Sequence, residues 1–325
     1  MAASKSSLSS KLRAHLQEFL AARCGPAGRL CVGLSGGRDS VVLLHLLAGL
    51  DLGGRLTAMH VHHGLSPRAD AWADFCQNLC ARLDVPLTVE RVVVPRDSGL
   101  GLEAAARNAR YAAFARCAAD SLLLAHHQGD QAETLLFNLL RGAGVAGAAG
   151  MPAERRQDGL RILRPLLTVP RRQIAACAEE ACLAWMEDES NADVDFSRNF
   201  LRHAVLPVLE QRFPAAQERL AGAAANFAEA DRLLAELAAT DWEATALAET
   251  VPLAALRRLS PLRLKNLLRY RLRCLGWGMP VATRLDEFAR QLLEAGPGRR
   301  PQLRLPEGEM TVRRGRLRWL PHSAE

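Results

Sequence analysis

The sequence predicts an α/β fold, with a mostly parallel, doubly wound sheet followed by a smaller, mainly helical domain. In the first two thirds of the chain, short Leu- and Val-rich runs alternate with stretches whose apolar residues recur at helical spacing. Strands that alternate with helices form a parallel sheet that is covered on both faces. From Pro214 onward, long stretches rich in Ala, Leu, Glu and Arg replace this alternation. We therefore predict one domain over residues 1–213 and a second over residues 214–325.

Five short apolar runs in the first domain predict strands, because aliphatic residues dominate buried parallel strands. In chain order they are Arg29–Leu34, Leu56–His62, Leu87–Val94, Ser121–His126 and Leu183–Glu187. Helices are predicted between them, where apolar residues recur every three or four positions and form one buried face. These helices are Asp39–Leu50, Ala69–Leu83, Leu102–Ala118, Asp130–Leu140 and Pro170–Ala181.

The second domain is predicted to consist of helices that end in a short β-hairpin. The predicted helices are Pro214–Glu249, Pro261–Leu275 and Thr283–Ala295. Two strands, Gln302–Leu305 and Glu309–Leu320, are expected to pair around a turn at Pro306–Gly308, since Pro and Gly favour turns.

The composition is that of a globular protein, with 49% hydrophobic and 24% charged residues in a chain of 325. No apolar stretch approaches the ~18–20 residues needed to span a bilayer, and the first residues lack the apolar centre of a signal peptide. We therefore predict a cytoplasmic protein without a membrane partner. The eight cysteines form no C-x-x-C pair and are interpreted as core residues. The sequence does not determine an oligomeric state.

A formal net charge of +7 predicts an anionic partner such as nucleic acid, because Lys and Arg neutralise phosphates. The basic residues cluster in two segments of the second domain. One segment contains Arg257, Arg258, Arg263, Lys265, Arg269, Arg271 and Arg273, and the other contains Arg299, Arg300, Arg304, Arg313, Arg314, Arg316 and Arg318. The alternative interpretation is a solvated surface without a partner.

The turn between the first strand and the first predicted helix is rich in small residues, and Leu30–Leu47 is LCVGLSGGRDSVVLLHLL. Ligands of open α/β sheets bind at the carboxyl ends of the strands, where N–H groups at a helix N-terminus can hold an anion. Gly36 and Gly37, between Ser35 and Ser40, therefore predict a phosphate site. The pattern is neither a Walker loop nor G-x-G-x-x-G. The alternative is a turn that uses glycine only for its backbone freedom.

The string SGGRDS resembles the pyrophosphate loop of the PP-loop ATP pyrophosphatases, which cleave ATP between the α and β phosphates. Four further segments follow in the order and approximate spacing seen in the tRNA(Ile)-lysidine synthetases. They are HVHHGLSPRADAWADFC (His60–Cys76), EAAARNARYAAF (Glu103–Phe114), AHHQGDQAETLLFNLLRGAG (Ala125–Gly144) and DESNADVDFSRNFLRHAVLP (Asp188–Pro207). The chain resembles this family over most of residues 29–210, and more loosely beyond them.

The resemblance implies that the enzyme uses ATP to adenylate the C2 carbonyl oxygen of the wobble cytidine in the isoleucine tRNA with a CAU anticodon. Free lysine then attacks C2 through its amine and displaces AMP, which gives lysidine. ATP is thus the expected co-substrate. Mg²⁺ is the expected metal, because the charge on the transferring phosphoryl group must be neutralised.

The resemblance also implies roles for single residues. The expected nucleotide-binding residues are Ser35, Gly36, Gly37, Arg38, Asp39, Ser40 and His60. Among them, Asp39 is expected to place Mg²⁺ or the lysine amine, His60 is expected to border adenine, and Arg38 occupies a variable position. Arg110 is the expected contact of the ATP phosphates, and Arg198 is a further candidate for a phosphate contact.

Asp130 and Glu133, near a predicted helix start, are expected to recognise lysine, since a buried ammonium must be paired. The alternative for either carboxylate is capping of the helix N-terminus. The sequence does not separate carboxylates that bind Mg²⁺ from those that bind lysine. Two positions depart from the family pattern. Gly129 stands where many relatives have an acid, which leaves open whether activity is reduced, and Glu189 stands where Pro is common.

Two rival functions remain open at this point. A tRNA-thiolating member of the same superfamily that uses an iron–sulfur cluster or a persulfide relay would display paired cysteines, which this sequence lacks. A catalytically silent tRNA-binding protein would account for Gly129, but it would leave Asp39, Arg110, Asp130 and Glu133 unexplained.

Overall fold

The computed structural model describes residues 7–95, 101–157, 159–187, 197–296 and 298–322. Glu189, one of the two departures from the family pattern, lies outside these residues. The chain forms two compact units, a first unit up to Ala228 and a second unit from Glu229. The division falls inside a long helix, Ala216–Thr245, whereas the predicted domain boundary at residue 213 lies just before that helix.

The first unit contains a six-stranded sheet with the strand order β3-β2-β1-β4-β6-β5. All neighbouring strands pair in parallel except β5, which is antiparallel to β6. The strands are β1 Leu30–Gly33, β2 Leu56–His62, β3 Leu87–Arg91, β4 Ser121–Leu123, β5 Glu154–Gln157 and β6 Leu160–Leu163. The predicted mostly parallel α/β architecture is therefore confirmed.

Helices connect the parallel strands and continue the chain beyond the sheet. They are α1 Leu8–Ala21, α2 Arg38–Ala48, α3 Ala69–Arg82, α4 Leu102–Phe114, α5 Gln128–Leu140, α6 Val145–Ala148, α7 Arg171–Glu180, α8 Ser197–Phe200, α9 Leu206–Arg212 and α10 Ala216–Thr245. A single π-helical turn, Leu201–Val205, joins α8 to α9. No helix in the described ranges is both long and apolar enough to cross a membrane.

The central strand β1 is buried on both faces, which explains why its sequence is apolar without interruption. Leu30 and Val32 pack in one core cluster, together with α1 and α2. Cys31, between them, belongs to a second cluster with Phe114 and Leu122. Successive side chains of a strand point to opposite faces, so helices on both sides of the sheet close the two cores. The turn that follows β1 therefore lies at the carboxyl edge of the sheet.

One predicted strand of the first unit is wrong. Leu183–Glu187 has no strand conformation, and the place beside β4 is taken by β6 of the β5–β6 hairpin. Leu160, Ile162 and Leu163 of β6 are buried there. The backbone N–H of Met186 instead donates to the carbonyl of Gly36 at 2.9 Å. The hydrophobic pattern does not distinguish Leu160–Leu163 from Leu183–Glu187. Pairing with β4 decides which of the two runs forms a strand.

The second unit contains a four-stranded antiparallel sheet in the order β7-β10-β9-β8. Its elements are β7 Thr250–Pro252, α11 Leu253–Leu256, α12 Pro261–Cys274, α13 Ala282–Glu294, β8 Gln302–Leu305, β9 Gly308–Arg313 and β10 Arg316–Pro321. The predicted single strand Glu309–Leu320 is therefore two strands. Arg314 and Gly315 have φ values of +51° and +69° and form the two-residue turn between them.

Candidate active site

A cavity of about 660 Å³ lies in the first unit where β1, β2 and β4 end. The residues that follow each strand line it: Ser35 after β1, His63 after β2 and His126 after β4. In open α/β sheets this edge is where ligands bind, because the helix N-termini point to the same side. The sequence-predicted loop therefore opens into a cavity of suitable size for a nucleotide.

The turn from Ser35 to Ser40 is held by its own hydroxyl groups. Ser40 Oγ donates to the carbonyl of Gly37 at 2.9 Å and accepts from the backbone N–H of Ser35 at 3.2 Å. Ser35 Oγ accepts from the N–H of Gly37 at 3.3 Å. No side chain caps α2 at Gly37. The positive end of this helix dipole thus faces the cavity without a side-chain cap from the N-cap residue, which favours an anion there.

The backbone requires glycine at one of the two positions of the turn but not at the other. Gly36 has φ +85°, a conformation that side chains disfavour, and a Cβ atom there would lie 3.3 Å from the Sγ atom of Cys76. Gly37 has an ordinary φ of −73°, and a Cβ atom there would meet only Ser35 Oγ, at 3.5 Å. Folding therefore requires glycine at position 36, whereas at position 37 the fold itself accommodates a side chain.

His127 joins the starts of α2 and α5. Its Nδ1 atom accepts from the N–H groups of Gly129 and Asp130 at 3.0 and 3.3 Å, and Asp130 Oδ2 accepts from the N–H of His127 at 2.8 Å. The Nε2 atom of the same ring lies 3.5 Å from Asp39 Oδ2. Because Nδ1 accepts hydrogen bonds, the ring proton belongs on Nε2 and points at Asp39.

Asp39 is an ionised group of the cavity wall. Burial opposes its ionisation, but the hydrogen bond from His127, together with the charges of Arg38 and Arg171, lowers the pKa of Asp39 below its usual value. Asp39 also accepts from Arg38 Nε at 3.3 Å. The carboxylate is therefore held in its charged form beside the turn from Ser35 to Ser40.

Arg202 binds both carboxylates that the sequence assigned to lysine. Its guanidinium donates to the two oxygens of Glu133 at 2.7 and 2.8 Å and to Asp130 Oδ1 at 3.0 Å. Glu133 is almost fully buried, and burial raises its pKa, which the contacts of Arg202 offset only in part. Asp130 lines the cavity, and Glu133 lies behind it. Asp130 therefore takes part in the cap of α5 and also faces the cavity, whereas its contact with lysine stays a prediction.

The remaining predicted residues are divided between the cavity and its surroundings. Ser35, Gly37, Arg38, Asp39, Ser40, His60, Arg110 and Asp130 line the cavity. Gly36 and Glu133 are not among the residues that line the cavity. The guanidinium of Arg198 lies 5.6 Å from the centroid of the Phe137 ring and does not line the cavity. His60 Nδ1 donates to the carbonyl of Leu34 at 2.9 Å, so this side chain also secures the end of β1.

The structure adds cavity residues that the sequence did not reveal. Trp185 and Met186 were assigned to a strand, and Arg171 was assigned only to a helix start. His63 and Trp72 also line the cavity, and His63 Nδ1 and Trp72 Nε1 have no hydrogen-bond partner among the described residues. The Pro170–Arg171 start of α7 was predicted from the sequence, but nothing local indicated that Arg171 lines the cavity.

Gly129 has little room for the acid that many relatives carry at this position. A Cβ atom would lie 2.8 Å from Gln217 Oε1 and 2.9 Å from the ring of His127. A side chain at position 129 therefore requires Gln217 to move. Gln217 and His127 therefore occupy the space that an acidic side chain at position 129 would need.

The sheet order, the uncapped helix after β1 and the Ser-Gly-Gly turn define a PP-loop protein that uses ATP. The PP-loop domain family matches residues 8–209, and the TilS substrate binding domain family matches residues 252–318. The chain belongs to the tRNA(Ile)-lysidine synthase family, which confirms the resemblance inferred from the sequence.

Relatives with that name align over most of the chain. The tRNA(Ile)-lysidine synthase of Alkalilimnicola ehrlichii is 48% identical over 301 residues, which cover 91% of this chain and 68% of the relative. That of Aromatoleum aromaticum is 53% identical over 276 residues, which cover 84% of this chain and 65% of the relative. That of Nitrosomonas europaea is 44% identical, with 93% and 67% covered. The chain thus spans about two thirds of the length of these relatives.

A solved structure of similar fold is the U34-tRNA thiolase NcsA from Methanococcus maripaludis with its 4Fe-4S cluster. It has a TM-score of 0.57 and 17% sequence identity, and the match covers 69% of this chain and 81% of the thiolase. At this identity the likeness concerns the fold. Within the described residues, no group of three or more His, Cys, Asp or Glu side chains is arranged to hold a metal ion.

The two glycines of the turn lead to opposite expectations for activity and stability. Gly37→Val is expected to abolish ATP-dependent pyrophosphate release while the protein stays folded, because the branched side chain projects into the phosphate site. Gly36→Ala is expected to destabilise the fold by about 1–3 kcal/mol, because φ is positive there. Pyrophosphate release and urea unfolding of the two variants measure these effects. Normal pyrophosphate release by folded Gly37→Val would contradict the phosphate-loop assignment.

Two histidines are expected to make the protein less stable in acid. Burial lowers the pKa of His63 and of His126 to about 4. As the pH falls below ~6.5, the unfolded chain binds protons at these positions that the folded chain does not bind, so the free energy of unfolding decreases. Urea unfolding between about pH 7.5 and about pH 5 measures this decrease.

His63→Asn is expected to reduce the pH dependence of the free energy of unfolding. His322→Asn is the matched control, because His322 is exposed, and it is expected to leave that pH dependence unchanged. Equal pH dependence of the wild type and His63→Asn would contradict the expectation.

Proposed function

We propose that this chain ligates free lysine to C2 of the wobble cytidine in the isoleucine tRNA with a CAU anticodon, at the expense of ATP. The observation that carries the proposal is one cavity that combines an uncapped helix N-terminus with separate carboxylates at Asp39 and Asp130. The helix N-terminus can receive a phosphate chain, and a carboxylate can receive an ammonium group. Family membership supplies the reaction that joins these two ligands.

ATP is proposed to bind with its β and γ phosphates at the turn from Ser35 to Ser40. Backbone N–H groups of a helix N-terminus stabilise the leaving pyrophosphate, and Arg110 in the cavity wall supplies further positive charge. Asp39 is proposed to hold Mg²⁺ together with phosphate oxygens and water, because Mg²⁺ prefers few carboxylates and keeps several water ligands. The lowered pKa of Asp39 suits this role, since only the carboxylate binds the ion. His60, at the end of β2, is proposed to border the adenine.

Lysine is proposed to place its ammonium group against Asp130. Arg202 keeps Asp130 and Glu133 in fixed positions, and Glu133 has both oxygens engaged by that guanidinium. Glu133 is therefore proposed to act through Arg202 as a positioning residue. Of the pair bound by Arg202, Asp130 is the carboxylate that lines the cavity.

The chemical step requires an activated carbonyl and a nucleophile. The C2 oxygen of cytidine attacks the α-phosphorus of ATP, the bond to the pyrophosphate oxygen breaks, and pyrophosphate leaves. The unprotonated lysine amine then forms a bond to C2, the C2–O bond breaks, and AMP leaves with the oxygen. A bound lysine amine with a reference pKa of ~10.4 must lose a proton before attack.

Thiolation of tRNA is not favoured by Cys76, the cysteine that packs against the turn. The buried Cys76 packs beneath the turn, where burial raises its pKa to about 12 and keeps the thiol protonated. A persulfide relay needs an accessible thiolate. Iron and acid-labile sulfide in anaerobically purified protein are therefore expected to be absent.

The experiment that tests the proposed function is incubation with ATP, labelled lysine and a panel of tRNA transcripts. We expect lysine to enter only the CAU-anticodon isoleucine tRNA, with release of AMP and pyrophosphate, and Gly37→Val serves as the inactive control. Binding of that tRNA without any turnover would favour a catalytically silent protein. Incorporation into tRNAs without a CAU anticodon would contradict the proposed substrate.

Asp130→Asn and Glu133→Gln are expected to raise the lysine KM. Hydrogen bonds to charged groups contribute ~1.5–3 kcal/mol, which corresponds to a KM roughly ten- to a hundredfold higher. We expect the larger increase for Asp130→Asn, because Asp130 faces the cavity. Lysine titration after formation of the adenylated tRNA measures the KM, and formation of this intermediate without lysine should change much less.

Asp120→Asn is the matched control, because Asp120 precedes β4 at the opposite edge of the sheet and accepts from the N–H of Arg29. If Asp130→Asn and Glu133→Gln abolish adenylation but leave the lysine KM normal, these carboxylates serve Mg²⁺ and lysine binds elsewhere.

A further inference from the structure

The start of α7 lies beside the starts of α2 and α5. The N–H of Gln128, the first residue of α5, donates to the carbonyl of Val169 at 3.1 Å. His127, which precedes α5, has its Nε2 atom 3.5 Å from Asp39 Oδ2 of α2. Ile174 of α7 packs in the core cluster that also contains the buried face of α2. The first residue of α7 therefore lies near the turn that follows β1.

Arg171, the first residue of α7, lines the cavity. Burial opposes the ionisation of Asp39, but the hydrogen bond from His127 and, more weakly, the charge of Arg171 lower the pKa of Asp39. This effect requires that the guanidinium lies within electrostatic range of the start of α2. Arg171 therefore adds positive charge to the part of the cavity where the turn from Ser35 to Ser40 lies.

Arg171 is not neutralised by a protein carboxylate in the described part of the chain. Two other arginines of the cavity wall are neutralised, since Arg38 pairs with Asp39 at 3.3 Å and Arg202 pairs with Asp130 at 3.0 Å. No carboxylate of the described residues lies within ion-pair distance of Arg171. Its planar guanidinium can therefore form paired hydrogen bonds with the oxygens of a phosphate.

The position of Arg171 on its helix also favours an anionic ligand. Helix α7 begins with two arginines, has no acid in its first turn and has no side-chain cap at Pro170. The positive end of a helix dipole disfavours cations. Arg172 is compensated by Glu218 of α10 at 3.8 Å, whereas Arg171 has no such partner among the described residues. An anion beside Arg171 is thus attracted by the side chain and by the helix end together.

Arg110, the arginine already expected to contact the ATP phosphates, acts on other groups. Burial, followed by the charge of Arg110, lowers the pKa of His63, the residue after β2, to about 4. The charge of Arg171 acts instead on Asp39 at the start of α2. The two arginines therefore supply positive charge to different parts of the cavity.

We infer that Arg171 binds the terminal phosphates of ATP and stays bound to the pyrophosphate that leaves. This inference rests on the proposed function, which places those phosphates at the turn from Ser35 to Ser40. When the bond between the α-phosphorus and its bridging oxygen breaks, that oxygen gains negative charge and leaves with pyrophosphate. Hydrogen bonds from the guanidinium stabilise this charge, while the AMP group stays on the substrate oxygen.

The test compares Arg171→Gln with Arg172→Gln, which removes the same charge one residue further along α7. Binding of ATP and of AMP to the full chain is measured by calorimetry. We expect Arg171→Gln to weaken ATP binding roughly ten- to a hundredfold, as for the loss of a charged hydrogen bond, and to leave AMP binding unchanged. Arg172→Gln is expected to bind both nucleotides like the wild type. Arg171→Lys keeps the charge without the paired geometry and is expected to be intermediate.

Removal of Mg²⁺ separates a direct contact from an effect through Asp39. The Arg171→Gln change also removes one charge that lowers the pKa of Asp39, the proposed Mg²⁺ ligand. The ATP titrations are therefore repeated in EDTA. A loss of ATP affinity that persists without Mg²⁺ supports the direct contact. A loss that disappears without Mg²⁺ would show that Arg171 acts through Asp39, and it would overturn the inference.

The remaining outcomes separate this inference from the proposed function. Equal weakening of ATP and AMP, or no weakening of either, would overturn the inference even if the wild type makes lysidine. Binding is measured without tRNA and lysine, so a selective loss of ATP affinity supports the inference even if the wild type forms no lysidine, which would refute the proposed function alone. Circular dichroism and thermal unfolding establish that each variant is folded, and removal of a cation from a helix start is not expected to lower the Tm.

Discussion

The cap that His127 forms at the start of α5 is the interaction on which the geometry of the site depends. The ring accepts two backbone N–H groups through Nδ1, so its remaining proton must lie on Nε2 and face Asp39. Asp130 completes the cap through Oδ2, which leaves Oδ1 for Arg202. A single side chain thereby determines the orientation of one carboxylate at each of two helix starts.

The charges around the cavity are compensated in pairs. Arg202 balances the buried Glu133 and the partly exposed Asp130, and a buried ion pair is tolerated only when its geometry and hydrogen bonds are good. The charge of Asp39 is balanced by Arg38 and Arg171, and Nε2 of His127 faces the same carboxylate. The start of α2, by contrast, has no side-chain acceptor. An incoming anion therefore finds its attraction in backbone dipoles and does not need to displace a protein carboxylate.

In the second unit, arginine has two distinct functions in the structure. Along α12 it forms ion pairs with acids of α10 and with Glu249 and stacks on Trp242, so that these side chains contribute to packing. At Arg299, Arg300 and Arg314 it stays exposed and without a carboxylate partner in the described part of the unit. The residue type is the same in both places. Proximity to acids of other helices decides which arginines retain an uncompensated charge.

The sequence by itself determined the α/β alternation, the turn after β1 and the candidates that surround it. These features are local: the apolar period of each segment specifies its element, and a turn at φ +85° requires glycine at position 36. The conclusion that the turn lies in a cavity followed from a general rule for parallel sheets. Asp39 and Asp130 could be named because the segments that contain them, SGGRDS and Ala125–Gly144, resemble those of the family.

The tertiary structure alone decided which apolar run completes the sheet and which charges meet. Leu160–Leu163 and Leu183–Glu187 are similar short runs, and only β6 pairs with β4, so Trp185 and Met186 line the cavity instead. Arg202 reaches Glu133 from 69 positions away, and Arg263 reaches Asp241 across 22. Such pairs depend on how helices pack, whereas periodicity reports only which face of a helix is buried. Contacts between distant segments could therefore be identified only from the folded structure.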